Sequence, residues 1–430
     1  LAEIGPVRQD YLSNVRGALS ADLGIRSTRV LVNASHCHGK VCAAADVRTI
    51  EAVKEAWRTM VAVRVGAGQG HEDRIMENRR LRLADGSEAD VRHAYSLPPD
   101  SEIIGVGPVD PEIGVLRLDR ENGEPLAALY SFACHPIQGV PNGGNTADLV
   151  GFASRVIEAG LGPGAIALFL QGCAGDINPV FYKDVDHPRD AESLGNTLGL
   201  SALKALQRAP CNDEAELRVS HTTLKLPRAN LAPRIEAMQA ELENTLRSLK
   251  GTTLNLRTFL PLVVKYSLAP EYPSYAVHRY LHDRVAGRQD LDRLDAMNRN
   301  AMAEYVGNIR AMEKLTRIQT NLELLRMHRD QNAASRESTI EVEVLGARIG
   351  SFALVTFPGE LCVQIGLNIK ADSPHRVTCV CGCTNGYMYY APTAEHLRNS
   401  GGAQEDCDCL LAPEWQRLYE ETAEAILRQL

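Results

Sequence analysis

The chain has 430 residues, 44% of them hydrophobic and 23% charged, enough for one large domain with an insertion or for two domains. A net charge of −8 excludes the broad basic surface that phosphate contacts need, so no nucleic-acid partner is expected. No apolar run approaches the roughly 18 residues of a membrane span, so no transmembrane segment is expected either.

The first 61 residues read as helix, strand, a His-rich stretch and a second helix. Thr28 to Val32 is a β-branched apolar run, the composition of a buried strand, and it leads into Ser35-His36-Cys37-His38-Gly39. In extended backbone, side chains two apart share a face. His36 and His38 are then expected to leave a strand end pointing one way. The second helix spans roughly Val47 to Val61, with Ile50, Val53, Ala56 and Met60 on one face. Residues 62 to 100 read as loop-rich and contain Asn78-Arg79-Arg80.

Two strands, Gly114 to Asp119 and Pro125 to Ala133, flank a turn at Glu121-Asn122-Gly123-Glu124. The second strand runs into Cys134-His135-Pro136, where the proline stops the ladder. A helix from about Leu149 to Ala159 and a strand from Ala165 to Gln171 follow. That strand feeds Gly172-Cys173-Ala174-Gly175-Asp176-Ile177-Asn178-Pro179, whose small residues allow close backbone approach. A helix, Ala191 to Arg208, and a strand, Ala215 to Lys225, complete this part.

Residues 229 to 337 are strongly helical in pattern and read as an insertion, a possible lid, into an α/β domain formed by 1–228 and 338–430. Period-two alternation returns at Thr339. Ile349 to Phe357 is a strand ending in Pro358-Gly359-Glu360, and Arg376 to Cys383 is another. Pro413 to Gln429 is the last helix. The alternation predicts an α/β fold, a layered mixed β-sheet core flanked by helices, with a long helical insertion. The odd count of eleven cysteines and the absence of a CxxC pair point to buried thiols in a reducing compartment, which favours the cytoplasm.

Polar residues gather after apolar strands: His36 and His38, His135, Asp176 and Asn178, Glu360, Asn385 and Tyr390. Strand ends are where open α/β sheets hold their ligands. His and carboxylate side chains are the ligands of a catalytic zinc that keeps one position open for water. Blander roles also fit: His135 as a strand cap, Glu360 as a helix N-terminal carboxylate, Asp148 as a helix-start or ligand-orienting group, and Lys40 and Arg80 as solvated cations.

The ordered motifs SHCHG, FACHP, TADLVG, QGCAGDINP, FPGE and NGYMYYAPT resemble the catalytic domain of the neutral (non-lysosomal) ceramidase family, over about residues 10 to 405. The resemblance implies a Zn2+ site formed by His36, His135, Glu360 and Tyr390. It implies His38 as the acid/base group and Arg79 as a substrate contact. There are departures. The family's HTHSGP is His36-Cys37-His38-Gly39-Lys40-Val41 here, and Asn178 stands where the family has a serine implicated in catalysis. The family's C-terminal β-sandwich is not expected within these residues.

The function implied is a zinc-dependent hydrolase that cleaves an amide bond of an N-acyl compound with a zinc-activated water. Asn178 is not a nucleophile, but its amide is a candidate oxyanion donor. Asp148, Asp176, Lys40 and Asn385 are candidates for orienting ligands or touching substrate. Lys40, Arg79 and Arg80 favour a small, polar or anionic, soluble substrate over ceramide. Two other readings fit the same residues: a zinc hydrolase of esters or glycosides on this scaffold, and a degenerate relative that binds a lipid or partner. A TIM-barrel amidohydrolase also uses HxH, but eight regular strand–helix pairs cannot be counted here.

Overall fold

The computed structural model describes residues 9–39, 41–91, 97–139, 146–182, 184, 186–187, 189–213, 215–335, 337–399 and 402–430. They fall into two compact units. One comprises the described residues of 1–92 together with Pro98–Asn230 and Met327–Leu430; the other is centred on Leu231–Arg326.

The first unit opens with α1 (Gln9–Leu23), α2 (Ala45–Arg58) and β1 (Val63–His71). Four short strands follow: β2 (Met76–Asn78), β3 (Arg80–Leu83), β4 (Glu88–Asp90) and β5 (Ile103–Val106). Next come β6 (Glu112–Arg120), β7 (Pro125–Phe132), α3 (Asp148–Leu161), β8 (Ile166–Gln171), β9 (Ile177–Pro179) and α4 (Ala191–Gln207). After β10 (Leu217–Pro227) the chain enters the helical unit, with α5 (Ala232–Ser248), α6 (Leu256–Leu268), α7 (Val277–Val285) and the 45-residue α8 (Asp290–Ala334). It returns through β11 (Thr339–Ile349), β12 (Phe352–Thr356), β13 (Glu360–Leu361), α9 (Val363–Asp372), β14 (Val377–Cys381) and β15 (Tyr390–Ala391). The short α10 (Gln404–Cys407) and α11 (Trp415–Gln429) close it.

The core is two four-stranded sheets, β1-β6-β7-β8 and β10-β11-β12-β14. Each is antiparallel over its first three strands and parallel over the last pair. A parallel pair needs a crossover, which α3 supplies in one sheet and α9 in the other. The sheets face each other through Val65, Leu116, Leu170, Phe352, Leu354, Val377, Cys379 and Cys381. Their outer faces are covered by α3 and α4 on one side and by α9 and α11 on the other. Strands buried on both faces read as unbroken apolar runs, as Phe352-Ala353-Leu354-Val355 does. The α/β expectation therefore holds, as four layers: helix, sheet, sheet, helix.

Three details differ from the sequence reading. First, β1 replaces part of the expected loop. Its Val-Arg-Val-Gly-Ala-Gly-Gln-Gly sequence hides a strand because one face is glycine. A Cβ at Gly66 would stand 2.8 Å from the Pro210 carbonyl oxygen, and one at Gly70 would stand 3.0 Å from the Ala205 Cβ, so the bare face seats α4. Second, the expected strand over 28–32 is a single 3-10 turn, Ser27–Arg29, followed by one isolated bridge at Asn33. Third, the helix expected over Val47 to Val61 ends at Arg58: Ile50 and Val53 pack against α1, while Met60 lies beyond the helix and is exposed.

Candidate metal centre

The site forms where loops leave the C-terminal ends of the parallel strands β7, β8, β12 and β14. The loop after β7 carries His135, whose Nδ1–H donates to the Ile177 carbonyl (3.0 Å). That bond fixes the tautomer and leaves the Nε2 lone pair aimed inward. The loop after β12 carries Glu360. Its strand β13 pairs in parallel with β15, which puts Glu360 beside Tyr390. Gly175 lets the loop after β8 press against this pair, since a Cβ there would stand 2.7 Å from the Glu360 carbonyl oxygen.

His36 and His38 arrive on a segment stapled to both sheets. Val32 N–H donates to Asn385 Oδ1 (2.8 Å) and Asn385 N–H donates back to Val32 O (2.9 Å). Asn33 donates to Gly382 O and Thr384 Oγ1, both at 2.8 Å, and accepts from Gln171 N–H (2.8 Å). The two histidines then take left-handed backbone, φ 62° and 52°. Their convergence comes from this strained turn and not from strand alternation.

The side chains meet closely. His36 Nε2 lies 3.0 Å from His38 Nε2 and 3.3 Å from Glu360 Oε2. His135 Nε2 lies 3.1 Å from the same oxygen. Ligand atoms of His36, His38 and His135 all stand within 4.8 Å of one another. Ligands about 2.0–2.1 Å from a tetrahedral zinc stand roughly 3.3 Å apart, the size of the three contacts of 3.0 to 3.3 Å in this cluster. His36, His135 and Glu360 are buried, and His38 is half-buried at the rim.

The electrostatics suit a cation. Burial opposes the charge on Glu360, but the His36 charge and the His135 bond outweigh it and hold the carboxyl well below its usual range. Burial opposes a proton on His36 too, yet Glu360 and Cys383 lift it to about 10. Burial, with the Arg79 and His36 charges, pushes His135 down to about 4, against the Glu360 hydrogen bond. A neutral His135 and an ionised Glu360 are the forms that bind metal, whereas His36 carries a proton that an ion would have to displace.

Arg79 is buried and touches two of the candidate residues, Asn178 and Tyr390. It donates to Asn178 Oδ1 (3.0 Å), to the Gly175 carbonyl and to Tyr390 Oη (3.3 Å), and its Nε pairs with Glu405 Oε1 at 2.7 Å. Because a guanidinium only donates, the Asn178 oxygen must face it, which leaves the Asn178 NH2 to donate elsewhere. Asp176 holds this arrangement together: its carbonyl accepts from Arg79 N–H, and its carboxylate accepts from Val363 N–H and Asn78 Nδ2.

The remaining candidates act on backbone. Asp148 accepts from the Gln138, Gly139 and Leu149 amides, bracing the loop beyond His135. Asn385 clamps the His36 segment. Lys40 lies outside the described residues. Arg80 is not the solvated cation expected: it is buried and paired with Asp406 (2.8 Å) and Glu88 (2.8 Å). Two residues at the site were not singled out from the sequence as site residues. Tyr387 donates to Glu360 Oε1 (2.6 Å) and stacks on His36, and Glu405 pairs with Arg79. The crowded Tyr387-Met388-Tyr389-Tyr390 run was a signal for the first; nothing local marks the second.

The chain has the fold of neutral ceramidase. Neutral ceramidase from Pseudomonas aeruginosa superposes with a TM-score of 0.59 at 16% identity, over 99% of this chain and 65% of that one. A structure titled as ceramidase complexed with C2 gives a TM-score of 0.58 at 16% identity, over 98% of this chain and 65% of its own. This chain thus spans about 65% of the length of the ceramidase structures it matches. No protein family and no curated relative matches by sequence.

Proposed function

We propose that this chain is a zinc-dependent hydrolase that cleaves an amide bond of an N-acyl compound. The observation that carries the reading is one cluster: His36 and His135 Nε2 stand 3.3 and 3.1 Å from a single Glu360 oxygen, and His38 Nε2 stands 3.0 Å from His36 Nε2. The likeness of fold to ceramidase supports it. His36, His135 and Glu360 would hold the ion, with Tyr390 beside Glu360 as a fourth ligand or an oxyanion donor. When bound, zinc supplies a Lewis acid and acidifies a water that it coordinates.

The chain's own groups do the rest. His38 sits at the half-buried rim, where its ring can take a proton from water and return it to the leaving amine. Tyr387 holds one Glu360 oxygen, so the other stays aimed at the histidines. Asn178, turned by Arg79, presents N–H to a developing oxyanion, an effect of about 3 kcal/mol in comparable sites. Arg79, buried and paired with Glu405, acts by positioning Asn178 and Tyr390.

Metal analysis tests the reading. Metal-replete protein is expected to hold close to one equivalent of zinc, and His36→Ala to lose both zinc and hydrolysis. Less than about half an equivalent in the parent, or unchanged activity in the variant, would remove the idea. A panel of chromogenic amides, esters and glycosides identifies the bond cleaved.

A further inference from the structure

The helical unit carries an apolar surface that its own packing leaves unused. α6 buries Tyr266 and α7 buries Tyr280, and both hydroxyls donate to the Asp295 carboxylate of α8, at 2.6 and 2.7 Å. These bonds turn the opposite sides of α6 and α7 outward. Along α6, Leu256, Leu260, Val264 and Leu268 follow one another at four-residue spacing, all exposed, Leu268 to 82%. Along α7, Val277, Leu281 and Val285 repeat the spacing, with Val285 exposed to 89%. Tyr275, between the helices, is 97% exposed. Four-residue spacing places each set on one helix face. Soluble surfaces rarely gather so many large apolar side chains without a partner.

The charges around the stripes are predominantly basic, although Arg284 pairs with Asp292 at 3.2 Å. α6 has no acidic residue, and it carries Arg257 and Lys265 beside its leucines. α7 carries Arg279 and Arg284 with His278 and His282; its one acid, Asp283, pairs with Arg288 at 3.1 Å. From 256 to 288 there are five Lys and Arg against two acids, in a chain of net charge −8. A helix with leucines on one face and cations at its margins lies in the interface of an anionic membrane, with apolar side chains among the acyl chains and cations at the headgroups. The 13 residues of α6 are too few to span a bilayer, and no helix among the described residues is long and apolar enough to cross one.

We propose that the α6–α7 face docks this chain onto an anionic lipid bilayer. The reasoning is independent of which bond the metal centre cleaves. The two stripes lie on helices anchored to the same Asp295 carboxylate, and no groove of the kind that seats a single peptide helix is needed to receive them. Aromatic Tyr275 belongs at such a boundary, with its ring in the headgroup layer.

Flotation of the full chain with phosphatidylcholine vesicles, with and without about 30 mol% phosphatidylserine, tests this. Binding is expected only to the anionic vesicles, and to weaken as salt rises. Leu260→Asp with Leu268→Asp is expected to lower binding at least about tenfold, leaving zinc content and circular dichroism unchanged. Arg257→Glu with Lys265→Glu is expected to remove the preference for phosphatidylserine. Failure to bind anionic vesicles, or equal binding to both, overturns the proposal. So does light scattering that shows a dimer dissociated by the double Asp variant while the parent ignores vesicles; the face then joins two copies.

Discussion

The two sheets of the first unit share one plan and deliver different chemistry. In each, an antiparallel hairpin ends in a parallel strand whose loop enters the site, and a helix crosses over to the last strand. The first half contributes through this loop a neutral ring, His135, tied to backbone by its far nitrogen. The second half contributes at the matching place a carboxylate, Glu360, tied by Tyr387. The long insertions also match in position: residues 72–111 separate β1 from β6, and the helical unit separates β10 from β11. What differs is whether the half supplies charge or a neutral donor. A repeated scaffold thus places two loops face to face, and the residue at each loop tip decides what the site binds.

The sharpest test removes the charge without the shape. Glu360→Gln keeps the side-chain volume and takes away the one anion among three histidines. Zinc affinity and hydrolysis are each expected to fall by more than about 100-fold, beyond the loss seen for residues that merely orient a ligand. His135→Gln should do comparable damage from the other half. Retention of zinc by Glu360→Gln within about threefold, measured by chelator competition, would show that the second half contributes packing alone.

A smaller effect tests the seam between the halves. An alanine at Gly175 must place its Cβ 2.7 Å from the Glu360 carbonyl oxygen and 3.0 Å from the Leu361 carbonyl carbon, both backbone atoms that cannot swing away. Gly175→Ala should cost about 1–3 kcal/mol in urea unfolding and weaken zinc as Glu360 shifts. Gly17 gives the control: it lies inside α1 with nothing within 4 Å of an added Cβ. Gly17→Ala should stabilise by about 0.5–1 kcal/mol and leave the metal site alone.

Much of this plan was readable from the residues, and the failures have physical causes. Phe352 to Thr356 announced itself because a strand buried on both faces is an unbroken apolar run, and Pro125 to Phe132 and Ile166 to Gln171 read as apolar runs too, although Ile166 and Leu168 are exposed. β1 did not, because its outer face is glycine, which admits α4. The repeated plan left no sequence repeat to find, since topology constrains strand order and loop position and not side-chain identity. His36 and His38 were readable as neighbours, though for another reason than the one that holds. Their left-handed backbone depends on Asn33 and Asn385, contacts more than 300 residues apart in the chain. Arg80 looked like a surface cation because its partners Glu88 and Asp406 lie in separate segments.

The smallest expected effect is a pH dependence where the second half meets the short strands inserted into the first. His396, just after β15, packs with Glu88 at 3.5 Å and near the Arg80 guanidinium. Burial, with the Arg80 charge, pushes its ring down to about 3, against the pull of Glu88. In the unfolded chain the ring regains a pKa near 6.5. Between these values the unfolded state binds the extra proton, so stability is full above pH 6.5 and declines as pH falls toward 3. The slope from this one group approaches about 1.4 kcal/mol per pH unit below 6. Urea midpoints from pH 7 to 5 should fall in the parent and flatten in His396→Asn, which keeps a polar side chain but cannot titrate. An unchanged slope in the variant would mean that His396 is already protonated in the fold, with Glu88 outweighing both Arg80 and burial at this seam.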